Sequence, residues 1–158
     1  MKQSTQTTVH VSVNEQRMRV LRGDELIRDF PVSTSRFGLG FKPGSMKTPF
    51  GLFRIAEKIG GDAPLGTVFK SRKPVPRTKA LATDDDLILS RILWLDGLGV
   101  RNSNSYSRFI YIHGTNHERE IGTPASHGCV RMKNADVVEL FELVPPETRV
   151  VIARRFGK

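Results

Sequence analysis

The chain has 158 residues, enough for one domain with a real hydrophobic core and cramped for two. Its 25 Lys and Arg against 16 Asp and Glu give a formal charge of +9, which favours acidic partners without choosing among nucleic acid, anionic lipid and a carboxylate-rich substrate. One cysteine excludes an internal disulfide and any multi-cysteine zinc site, and no stretch approaches the ~18 to 20 apolar residues that span a bilayer.

Residues 1–8 carry one basic residue and no apolar run, so they are no signal peptide as written. The expectation is a cytoplasmic protein, or a periplasmic or cell-wall one if a leader has been removed. Val9, Val11 and Val13 alternate with polar residues, the period of a half-buried strand. Arg17-Met18-Arg19-Val20 alternates again, and Leu26-Ile27 with Phe30 and Val32 follows the Arg22-Gly23-Asp24 turn signal, which predicts an antiparallel meander. Residues 34–51, rich in Ser, Gly, Pro and Lys, read as a long surface loop before a short strand at Leu52 to Ile55.

Residues 60–86 show little periodicity and carry Arg72, Lys73, Arg77 and Lys79, which reads as a lid or binding loop or as a floppy basic loop. Two apolar runs, Leu87-Ile88-Leu89 and Ile92-Leu93-Trp94-Leu95, predict buried strands ended by Asp96-Gly97. Arg108 to Ile112 reads as a short strand running into His113. Asn134 is placed to N-cap a helix with Val137, Val138, Leu140 and Phe141 on its apolar face. Pro145-Pro146 stops it, and Arg149 to Ala153 is a last strand. The predicted fold class is mostly β, in a single domain over residues 1–158.

The densest chemistry lies around Cys129. A free thiol has a reference pKa of ~8.5 and attacks a carbonyl well only when something favours its thiolate. A nearby imidazole does this and can then protonate a leaving amine. His113, His117 and His127 are the candidates. His127 lies two residues before the sulfur and would share its side of an extended segment, whereas His113 must be brought across by the fold. Gly114 lets the backbone turn closely, with neighbouring carbonyls able to set the imidazole tautomer. Gly128 admits a substrate carbonyl close to the chain, and the amides around Gly128 and Cys129 can form an oxyanion hole worth ~3 kcal/mol per donor. Arg131 presents a fork suited to a carboxylate.

Other readings of the same residues stand beside this one. Cys129 can be a small buried hydrophobe. His113, His117, His127 and Cys129 have workable metal-ligand spacings, but the 113 to 117 spacing needs a helix where Gly114-Thr115 suggests a turn. No metal or other cofactor is therefore expected. A catalytically silent binding module, for nucleic acid or another ligand, is a further class. Nucleic-acid binding would show a basic stripe with interleaved aromatics, whereas here basic residues are dispersed and there are only two Tyr and one Trp.

His113-Gly114-Thr115, followed by Ile121-Gly122-x-Pro124-x-Ser126-His127-Gly128-Cys129-Val130-Arg131-Met132, resembles the active-site signature of the L,D-transpeptidase (YkuD-type) family. The resemblance covers nearly the whole chain, including Phe30-Pro31-Val32-Ser33-Thr34 and Gly44-x-x-Lys47-Thr48-Pro49-x-Gly51. It implies a β-sandwich-like domain around a mixed sheet, with one or two short helices. It also implies Cys129 as nucleophile, His113 as base, and the Gly114 carbonyl as the group that orients the imidazole. Ser126, His127 and Gly128 match the segment that shapes the oxyanion hole and cleft; at 131 one branch of the family has Asn and another Arg.

The implied substrate is the peptidoglycan stem tetrapeptide, cut between the L-centre of its third residue and the terminal D-Ala. Water resolves the acyl-enzyme in L,D-carboxypeptidase action, and an amine does so in cross-linking. With no leader as written, the expectation leans to hydrolysis of recycled muropeptides. The expected partners are stem peptides or muropeptides, not nucleic acid, with no membrane insertion and a monomeric state. Arg72, Lys73 and Arg77 offer counter-charges for stem carboxylates.

Overall fold

The computed structural model describes residues 5–76 and 86–157. The expected meander is present: β1 (Thr7–Ser12) pairs antiparallel with β2 (Arg17–Arg22), and β2 with β3 (Glu25–Pro31). Alternation sets its faces, since Val9, Val11, Met18 and Val20 are buried on one side. The sheet continues through β10 (Arg149–Ala153), which lies parallel to β1, then β4 (Gly51–Ile59) and β7 (Ile88–Gly97). A hairpin of β5 (Val68–Lys70) and β6 (Lys73–Val75) extends β7 at one end. On another branch β8 (Tyr111–Gly114) pairs with β7, and β9 (Val130–Met132) runs parallel to β8. The described strands thus form one mixed sheet with one helix, α1 (Asn134–Leu143), as the mostly β reading anticipated. The main core joins Val137, Leu140 and Phe141 of α1 to Ile112, Val130, Met132 and the inner residues of the meander.

Four local expectations are corrected. From Ile88 onward the two apolar runs, 88–89 and 92–95, belong to one strand interrupted by a bulge. Pairing jumps from Leu89 opposite Gly114 to Ile92 opposite His113, and Ser90 at φ +72° supplies the bend.

Residues 34–51 are no mere surface loop. Thr34, Ser35 and Thr48 are buried; the Thr34 carbonyl and the Thr48 hydroxyl bond the cysteine loop, while Ser35 bonds Thr48 and Met46 within the segment. Within 60–86, the β5–β6 hairpin is regular structure, and Arg77 and Lys79 lie outside the described residues.

Asn134 is the first residue of α1 and not its cap. Its backbone N–H donates to the Glu118 carboxylate at 2.7 Å, so an acidic side chain from a 3-10 turn at Glu118–Glu120 satisfies the helix start. The Asn134 side chain donates to the same Glu118 carboxylate at 3.1 Å and to the Thr115 carbonyl at 2.8 Å, and accepts from Ser90 Oγ at 2.7 Å.

Candidate active site

Two adjacent parallel strands bring the chemistry together. In the β8–β9 pair, Ile112 faces Val130 and His113 faces Arg131. Alternate residues of these strands, Ile112, Val130 and Met132, enter the main core, which leaves Tyr111, His113 and Arg131, with Cys129 just ahead of β9, for the opposite face. Cys129 packs there against the cluster of Phe69, Ile92, Trp94 and Tyr111.

His113 is buried, and its Nδ1 lies 2.5 Å from the Gly114 carbonyl oxygen. A carbonyl only accepts, so Nδ1 carries the proton and Nε2 is left as the acceptor. Burial pushes the imidazole below its ordinary 6.5, with Arg131 acting in the same direction and Asp86 and the Gly114 bond opposing. It is therefore a neutral ring at pH 7.

Gly114 has a second, steric role. A β-carbon there would fall 2.3 Å from Asn134 Oδ1 and 2.6 Å from the Leu89 carbonyl oxygen, so only glycine lets β8 lie this close to α1 and the β7 bulge.

The Cys129 thiol donates to the Phe109 carbonyl at 3.4 Å, and its sulfur accepts the Tyr111 N–H at 3.3 Å. Desolvation pushes the thiol from 9.0 up to about 12, against the opposing effects of the Tyr111 amide, Arg131 and Arg108. Thiol and imidazole are thus both neutral in the resting site. Cys129 is partly exposed and lines a cleft of about 410 Å³, shared with Met46, Arg108, Phe109 and His127.

The cysteine loop is held from outside. Ala125 and Ser126 N–H both donate to the Thr34 carbonyl at 2.9 Å, and Ser33 and Arg131 exchange two backbone bonds at 2.9 Å. Thr48 Oγ1 donates to the Gly128 carbonyl at 2.9 Å. Ser126 Oγ donates to the Cys129 carbonyl at 2.6 Å and accepts the Gly128 N–H at 3.3 Å. Gly128 sits at φ +128°, a conformation that disfavours any side chain.

Arg131 points away from the cleft. Only 2% of its side chain is exposed, and it pairs with Asp86 at 2.9 Å and Glu120 at 3.1 Å. Asp86 also lies 3.5 Å from His127 Nδ1, which makes it a junction between the two. His117 opens the 3-10 turn and does not line the cleft. Arg72 lies over the Trp94 and Phe109 rings and donates to the Tyr111 hydroxyl at 3.2 Å.

Sequence reasoning missed Phe109, Tyr111, Asp86, Thr48 and Asn134 as parts of this site. The first two precede His113 in the chain and carry no chemical signature of their own; the others reach the site only through folding.

A cysteine and a buried, tautomer-fixed histidine on one face of the same strand pair define a candidate thiol acyl-transfer site. Residues 6–152 match the model of the YkuD family, the L,D-transpeptidase catalytic domain, and the chain belongs to that family. It is 30% identical over 145 residues to YkuD of Bacillus licheniformis, covering 91% of this chain and 64% of that one. It is 36% identical over 108 residues to YqjB of Bacillus subtilis, covering 65% and 58% respectively; both proteins carry L,D-transpeptidase names. The chain spans less than two thirds of the length of either relative. Among solved structures it resembles the L,D-transpeptidase of Xylanimonas cellulosilytica, with a TM-score of 0.62 and 19% identity over 97% of this chain and 63% of that one. The L,D-transpeptidase of Mycobacterium smegmatis gives 0.59 and 15% over 94% and 58%. At those identities the likeness is one of fold.

Proposed function

We propose that the chain is a cysteine acyl-transfer enzyme acting on peptidoglycan stem tetrapeptides, with Cys129 as nucleophile and His113 as base. The observation that carries this reading is the Nδ1 contact of His113 with the Gly114 carbonyl, which leaves Nε2 free to accept. The family and the names of its relatives supply the substrate class.

In the proposed reaction the Cys129 proton leaves the Phe109 carbonyl for His113 Nε2 as sulfur attacks the carbonyl before the terminal D-Ala. The C–S bond forms, the C–N bond breaks, and the same proton passes to the departing amine. The developing oxyanion would replace Ser126 Oγ as partner of the Gly128 N–H, joined by the Cys129 amide. Water or a second amine then takes the acyl group, His113 accepting its proton and returning it to sulfur. A resting pair that is neutral on both sides suits this coupling, because proton transfer and attack occur together once the substrate excludes water.

Incubating the protein with a disaccharide-tetrapeptide, with and without a second stem, and weighing the products tests the reading. Loss of D-Ala alone identifies a carboxypeptidase, and a cross-linked dimer identifies a transpeptidase. Absence of both products would overturn the assignment. Cys129→Ser should abolish turnover while ligand affinity stays within about 3-fold, which separates an enzyme from a binding module.

A further inference from the structure

Two guanidiniums act on Cys129, and only one of them is neutralised. Arg131 and Arg108 both oppose the rise of the thiol pKa. Arg131 is buried between Asp86 and Glu120. Arg108 has no carboxylate partner among the described residues; its hydrogen bonds go to two backbone carbonyls, Nη2 to Lys47 at 2.8 Å and Nη1 to Gly40 at 3.3 Å. These fix the head group yet use two of the five N–H donors a guanidinium offers. Of the nine described residues lining the cleft, Arg108 alone is Lys or Arg, and none of them is Asp or Glu. Partial burial works against its charge, with no described carboxylate to offset the cost. The next residue, Phe109, holds the thiol through its carbonyl from a left-handed backbone at φ +58°, so the 108–109 turn is tied to the sulfur itself.

We infer that Arg108 clamps the C-terminal carboxylate of the substrate, making this site specific for removal of a terminal residue. The inference rests on the acyl-transfer reading above and assigns the carboxylate to Arg108 where the sequence pointed to Arg131. The chemistry sets the distance. The terminal carboxylate sits on the α-carbon of the leaving residue, about one residue length (~3.8 Å between α-carbons) beyond the carbon that sulfur attacks. A fixed, uncompensated fork in the same cleft as the thiol meets that group and gains charge-assisted bonds. An internal peptide bond, or a terminus capped as an amide, leaves the guanidinium desolvated and unpaired.

The test compares a disaccharide-tetrapeptide ending in free D-Ala with the same compound ending in D-alaninamide, on the intact chain. Acyl-enzyme formation is followed by whole-protein mass spectrometry, and binding by calorimetry on Cys129→Ala. The free acid should be favoured by roughly 10- to 100-fold in both measurements, the range expected of charge-assisted hydrogen bonds. Arg108→Gln should compress that ratio to within about 3-fold, and Arg108→Lys, which keeps the charge without the fork, should fall between. Because Arg108 also ties down residues 40–47, the acid-to-amide ratio of the unmutated cleft carries the test should the Gln variant fail to fold. Turnover with no preference for the acid, or a preference that survives in Arg108→Gln, overturns the clamp and leaves the enzyme reading standing. Discriminating binding with no turnover by the unmodified chain overturns the enzyme reading alone. Absence of both binding and turnover overturns both.

Discussion

Gly114 lies against Asn134 with no room for a methyl group: a β-carbon at 114 would stand 2.3 Å from Asn134 Oδ1. The same glycine turns its carbonyl to His113 Nδ1, so one small residue joins the helix, the β7 bulge and the imidazole. Gly114→Ala should therefore cost about 2 kcal/mol in urea denaturation, the middle of the range for overpacking. It should also lower activity beyond any loss of folded protein, because β8 must shift to admit the methyl. A variant as stable and as active as the parent would refute this account of the contact.

The resting thiol, raised to about 12, predicts slow alkylation at neutral pH. The iodoacetamide rate should keep climbing tenfold per pH unit beyond 9.0, with no plateau at the ordinary thiol value. Turnover should behave differently if His113 takes the proton. Its kcat/KM should rise through a pKa below 6.5 and then stay flat to about pH 9, because the base and not the thiolate limits it. Parallel profiles for alkylation and turnover would count against His113 as base.

Stability should report on the same histidine. Its native pKa is lowered, so below 6.5 the unfolded chain binds more protons than the folded one, and stability falls as pH drops from 6.5 towards the native value. Above 6.5 the contribution is fully present. His113→Gln should flatten this part of the curve relative to the parent, measured by urea titrations at half-unit steps. His10, also lowered by burial, remains in both proteins and cancels in the comparison.

Arg131 braces Asp86 and Glu120. Arg131→Met should cost about 3 kcal/mol, the low end for breaking a buried pair, because Glu120 is 42% exposed and rehydrates readily. Adding Asp86→Asn should recover part of that loss, since it removes the carboxylate left stranded. Strict additivity of the two changes would disprove the coupling.

Glu118 caps α1 from outside the helix. Glu118→Ala should cost about 1 kcal/mol, as loss of an N-terminal acceptor does. The effect on KM should be small, because Glu118 does not line the cleft. A KM change larger than the stability change would assign it another role.

Local pattern made much of this protein readable. The alternation of Val9, Val11, Met18 and Val20 specifies a meander with one wet face, because a strand has a period of two and the core accepts only one side. The stretch from Ser126 to Arg131 likewise marks Cys129 as the candidate nucleophile, since glycine, histidine and thiol together serve chemistry better than packing. Several adjoining segments were misleading for physical reasons. Ser90 breaks an apolar run that the chain carries through as a bulge, and the Thr48 hydroxyl looks like loop polarity until it meets the Gly128 carbonyl of the cysteine loop.

The residue types at the centre, a single thiol at 129 and a histidine at 113, are properties of the sequence, legible because few other arrangements use them. Their protonation, and the fate of the surrounding charges, depend on contacts between distant segments. The carbonyl of Gly114 sets the tautomer, desolvation against Trp94 and Tyr111 raises the thiol, and two carboxylates absorb Arg131. Arg108 stays uncompensated in the cleft for the same reason. A charge is defined by its neighbours, and neighbours separated by tens of residues exist only once the chain has folded.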